Sequence, residues 1–121
     1  MLLELHQDRP LLSRLHRKAE SLDGACLRAL GHPHDHAIRQ ELLSALEWET
    51  SLHPEHARPV IRDLFSQVHD HSTELAKRIQ SAAGASDAGF HPIAHGIESL
   101  RHSLAALKHV LAARHGNSPK A

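Results

Sequence analysis

The chain has 121 residues, the size of a single domain, with 40% hydrophobic and 23% charged residues. Lys+Arg and Asp+Glu balance at 14 each, which argues against a general binder of the nucleic-acid backbone, because such a protein carries a basic surplus. Aromatic residues are only 2% with no Tyr, which disfavours a single-strand binder that stacks bases, and histidine is the outlier at 14 residues.

The first predicted helix opens at Pro10 with Asp8 as its N-cap. Leu11, Leu15, Ala19, Leu22, Cys26 and Ala29 follow at three- and four-residue spacing, an apolar stripe that ends at Gly31. Asp35 caps a second helix with the stripe Ile38, Leu42, Ala45, Glu49, Leu52, stopped by Pro54. Pro59 opens a third, with Ile61, Leu64, Phe65, Val68, Ser72, Leu75, Ile79 and Ala82 on one face. The Gly84 to Gly89 stretch reads as a flexible connection. Pro92 opens a fourth helix carrying Ile93, Ile97, Leu100, Leu104, Leu107 and Leu111, a heptad seam closed by Gly116.

No segment alternates with period two, so no strand is expected. These helices predict an all-α fold, an up-down-up-down antiparallel four-helix bundle over residues 1–116, with 117–121 a disordered tail. Its seam is expected to run through Leu15, Leu22, Leu42, Phe65, Leu75, Leu100, Leu104 and Leu107.

Cys26 is the sole cysteine, so there is no intrachain disulfide and no cysteine-based zinc site. A reducing, cytoplasmic setting is the expectation. The start lacks a signal peptide's basic and apolar regions, no apolar run reaches the length of a membrane span, and there is no haem-attachment motif or Gly-rich phosphate loop. Neither nucleic acid nor a membrane is an expected partner.

A helix turns about 100° per residue. With Ile93 at zero, the apolar residues of the fourth helix fall within about 40°, while His91, His95, Glu98, His102 and His109 fall at about 140–200°. His91/His95 and Glu98/His102 are i,i+4 pairs, a spacing at which imidazoles chelate divalent transition metals. The competing reading is a solvated polar face. The loop Gly31-His32-Pro33-His34-Asp35-His36 offers three imidazoles and a carboxylate, or is simply a polar turn. On the second helix Glu49 falls about 20° from Ile38, on the apolar face, where a carboxylate needs a partner. Glu49, His53, His56 and His71 are therefore candidates for a metal site at one end of the bundle. The alternative is a rim carboxylate reaching water beside partly satisfied histidines.

The opening Leu5-His6-Gln7-Asp8, followed by Leu11, Leu12 and Leu15, resembles the first helix of hemerythrin-like, HHE cation-binding domains. Leu52-His53-Pro54-Glu55-His56 with Val60 to Phe65 is similar to their second-helix region. Val68-His69-Asp70-His71 with Leu75 resembles the third, and Phe90 through His109-Val110 the last. The resemblance covers nearly the whole chain. It implies a four-helix bundle with a history of cation binding; together with the imidazole pairs, the expected cofactor is a divalent transition metal (iron, zinc or nickel), or none. Arg9, Ala57, Arg58, Ala112 and Ala113 stand where that family offers further ligands, so the implied site is degenerate.

The leading expectation is thus a non-enzymatic, hemerythrin-like module that binds a divalent transition metal or acts in regulation. A second is a helical adaptor working as a homodimer or with a protein partner. A third is a histidine phosphotransfer domain centred on Ala94-His95-Gly96-Ile97-Glu98, where Glu98 and Ser99 replace the basic residue and the glycine that such a domain carries. No Ser/His/Asp or Cys/His arrangement points to catalysis, and Cys26 on its apolar stripe reads as packing.

Overall fold

The computed structural model describes the backbone of residues 2–32, 35–81 and 90–115, and the side chains of 10–32, 35–81 and 91–112. The expected Gly84–Gly89 connection, Pro33 and His34 of the histidine loop, Gly116 and the 117–121 tail lie outside them. The described residues form four α-helices: α1 (Leu2–Gly31), α2 (His36–Ala45), α3 (Pro59–Ser81) and α4 (Phe90–His115), with a 3-10 turn at Thr50–Leu52. There is no strand among them, so the fold is all-α.

Each helix packs on its neighbours in a closed ring, α1 on α2 and α4, and α3 on α4 and, more lightly, α2. The interior is built from the predicted stripes. Leu15, Leu22, Leu42, Leu75, Leu100, Leu104 and Leu107 are fully buried, and Phe65 nearly so. On α4 all six seam residues, from Ile93 to Leu111, are completely shielded from solvent. Burying a Leu or Ile side chain stabilises by about 1.5–3 kcal/mol, so this seam contributes substantially to the fold.

Charged and backbone contacts lock the pairs together. Asp23 on α1 accepts from Arg101 Nε at 2.9 Å and sits 3.7 Å from Lys108 Nζ, both on α4. Arg78 on α3 donates to the Pro92 carbonyl of α4 at 2.9 Å. Gly96 lies where α3 and α4 meet: a Cβ there would stand 3.1 Å from Leu75 Cδ1 and 3.2 Å from Arg78 Nη1.

The described structure departs from the sequence reading in two elements. Helix α1 does not begin at Pro10 under an Asp8 cap; it starts at Leu2 and runs through the proline. Proline there removes one N–H from the ladder and its ring crowds the carbonyl one turn back, a cost of about 3 kcal/mol that the helix bears at this point. Helix α2 keeps its predicted cap, Asp35 accepting from the Ile38 N–H at 3.2 Å, but stops at Ala45 instead of running on towards Pro54. Leu46 closes it, its N–H donating to the Leu42 and Leu43 carbonyls. Glu49 then lies in extended backbone (φ −64°, ψ 142°), as does His53 (φ −71°, ψ 122°), the conformation favoured before a proline.

Candidate functional site

The chain between α2 and α3 folds back over the bundle, and Trp48 and His53 anchor it. The Trp48 indole N–H donates to the Ser72 hydroxyl on α3 at 3.0 Å, which pairs a polar atom that burial would otherwise leave unsatisfied. Its ring meets Phe65 edge-on, with centroids 5.2 Å apart. On the same side the His53 ring lies 5.0 Å from Phe65 and 5.4 Å from the His69 ring, and His69 is 5.9 Å from Phe65. Phe65 and His69 are one helical turn apart, so α3 presents both on one face. Pro54, next to His53, is buried and fixes the backbone there.

Glu49 is not on an apolar helix face. Because α2 ends before it, its helical register is lost and its side chain is exposed, accepting from Ser51 Oγ at 3.4 Å. His56 is exposed in the turn before α3. His71 is half-buried on α3, but stands two residues from His69, about 200° around the helix axis, and faces elsewhere. Glu49, His53, His56 and His71 therefore do not assemble as a set, and among the described residues no three His, Cys, Asp or Glu side chains come together in a group able to hold a metal. The pairing that does form is His53 with His69, a residue absent from the candidate ligands drawn from helical angles. Its position one turn after Phe65 was the available clue.

On α4 the angular reading holds for orientation. His91, His95, Glu98, His102 and His109 are all exposed, opposite the buried seam. In the loop, His32 and His36 are also exposed. The interior offers no carboxylate or imidazole from the six seam positions of α4. A di-iron centre within a bundle needs several inward-facing carboxylates and imidazoles, and these residues do not fit one.

A second cluster lies beside the aromatic one. Arg14 and Lys18, one turn apart on α1, line a pocket of about 320 Å³ with Ser44, Glu47, Glu49 and Leu52. Arg14 donates to Ser51 Oγ at 3.4 Å, and the Lys18 ammonium lies 5.5 Å from the Trp48 ring centre. Burial pushes the Lys18 amine below the usual lysine range; Glu49 and Glu47 pull the other way without cancelling it.

The Cys26 thiol is buried, and that burial, reinforced by Asp23 and opposed by Arg101, pushes its pKa up to about 12. It is a packing residue, as its stripe indicated.

No helix among the described residues is long and apolar enough to cross a membrane. The chain matches no family model, and neither curated proteins nor solved structures show a match.

Proposed function

We propose that the chain is a non-catalytic helical-bundle module, of the hemerythrin-like kind, that holds a divalent transition metal loosely at the imidazole pair of His53 and His69. The observation that carries this is the 5.4 Å between the two ring centres. With metal–nitrogen distances of about 2.0–2.1 Å, two imidazoles on one ion have ring centres about 4.5–5.5 Å apart. Two protein ligands leave the remaining positions to water, so binding is exchangeable and suits a sensor or carrier better than a structural site. Phe65, in tilted contact with both rings, restrains them. Neutral imidazole is the ligand form, so protons compete with the metal.

Calorimetry with Zn²⁺ and Ni²⁺ on tag-free protein tests the reading. Binding at one site is expected, lost in His53→Ala and in His69→Ala and weakened between about pH 7 and 5. Loss confined to alanine variants of His91, His95 and His102 moves the site to the outer face of α4. No binding heat favours the adaptor, in which the apolar interior is scaffold and the surface meets a protein partner. About two tightly held irons per chain in metal analysis overturns both readings.

A further inference from the structure

The pocket beside Trp48 is lined by Arg14, Lys18, Glu47 and Glu49 and has no role in the metal reading. Lys18 lines both this pocket and a second, open groove of about 730 Å³ between α1 and α2, so the residue is half-buried and borders two open spaces. The other lysines on described side chains differ in setting. Lys77 is exposed, and Lys108 is ion-paired with Asp23 at 3.7 Å. A lysine amine becomes a nucleophile when its surroundings disfavour the ammonium form; burial around Lys18 acts in that direction and prevails over the opposite pull of Glu49 and Glu47, while the Trp48 ring face 5.5 Å away also favours the cation.

Arg14 lies one turn before Lys18 on the same helix face, and its guanidinium is the natural partner of a carboxylate. Glu47 and Glu49 lie on the pocket wall and repel anions in proportion to their charge, so a phosphate ester is excluded most strongly and one negative charge is the most that Arg14 offsets. A volume of about 320 Å³ is at the small end of ligand pockets. The ligand these features select is small, carries one negative charge, and has an electrophilic carbon within a few bonds of its carboxylate.

We propose that Lys18 is a covalent attachment site for small α-oxo acids, with the ligand carboxylate held by Arg14 and the ligand carbonyl condensing with the lysine amine. The amine lone pair attacks the carbonyl carbon, a C–N bond forms, and the carbonyl π pair moves to oxygen, which takes a proton. Loss of that oxygen as water and of the second nitrogen proton leaves an imine. The sum is amine plus carbonyl giving imine plus water, with no oxidant or reductant. Glu47 and Glu49 are the carboxylates on the wall able to relay those protons. The attachment is reversible by hydrolysis.

The test traps the imine by reduction. The full chain is incubated at pH 7 with glyoxylate and cyanoborohydride, and separately with acetaldehyde and cyanoborohydride. Peptide mass spectrometry then follows the adduct on each lysine. Lys18 is expected to react several-fold faster than Lys77 and Lys108, to prefer glyoxylate over the neutral aldehyde, and to lose that preference in Arg14→Gln, an exposed position whose replacement leaves the core intact. The proposal is overturned if Lys18 reacts no faster than Lys77, or if its preference for glyoxylate is missing or survives in Arg14→Gln.

Discussion

At the scale of single residues, burial sets the chemistry, and Cys26 makes the effect measurable. Its thiol, pushed up to about 12, holds a proton more firmly in the folded chain than in the unfolded one. The stability this contributes is complete below the ordinary thiol range and is lost as pH rises from there through the folded value. Urea titrations between about pH 8 and 11 should therefore show the wild-type chain losing more stability than Cys26→Ala over that interval. Equal pH slopes would mean that the thiol is not shielded as its burial indicates. The chain contains no Tyr, so no phenol titrates across this window to obscure the comparison. Asp23, which raises the thiol, is the same carboxylate that ties α1 to Arg101 and Lys108 of α4. One side chain thus serves both the helix pairing and the inertness of its neighbour.

At the scale of elements, α3 and α4 make the most extensive contact, and Gly96 lies within it. Gly96→Val places side-chain carbons against Leu75, which is fully buried, and against the Arg78 guanidinium that reaches the Pro92 carbonyl. Overpacking of this kind costs about 1–3 kcal/mol. His102→Ala, on the exposed face of the same helix, should stay within about 0.5 kcal/mol. Chemical denaturation of the two variants checks the assignment of faces, and similar costs would refute it. The same residue accounts for the glycine in Ala94-His95-Gly96, where packing against α3 supplies a reason unrelated to phosphoryl transfer. The stripes of α3 and α4 could be read from spacing alone, because a long helix with a continuous apolar face has one way to bury it. Helix α2 could not. Extending its period to Glu49 assumed an unbroken helix, whereas the Trp48 indole bonds to Ser72 and the residue before Pro54 must be extended. For the same reason the His53–His69 pair was hidden: it depends on where a non-helical segment crosses α3, and periodicity carries no such information.

At the scale of the whole molecule, charge is evenly matched at neutrality and becomes lopsided in acid. Fourteen histidines accompany 14 acidic and 14 basic residues. Protonation of the imidazoles as the medium becomes acid takes the net charge from near zero towards about +14. Self-repulsion then opposes the compact state, and added salt screens it. Thermal unfolding at about pH 5 should shift to higher temperature with added sodium chloride, while at about pH 8 the same addition should change little. An equal response at both pH values would place the acid sensitivity in specific contacts instead of the overall field. The exposed imidazoles of α4 concentrate part of that charge on one side of the bundle. Any association through that face therefore weakens first as the medium becomes acid.

Trp48 is the sole tryptophan in a chain without tyrosine. Nearly all of the near-ultraviolet emission therefore arises from one ring, held by Ser72 and Phe65 on the segment joining α2 to α3. Intrinsic fluorescence thus reports the seating of that strap, whereas far-ultraviolet circular dichroism reports the four helices. Coincident transitions mean that strap and bundle melt as one cooperative unit. An earlier fluorescence change identifies local release of the strap, which would separate His53 from His69 and open the wall of the Lys18 pocket while the helices persist. The protein carries its own optical probe at the place where both of its candidate chemistries meet.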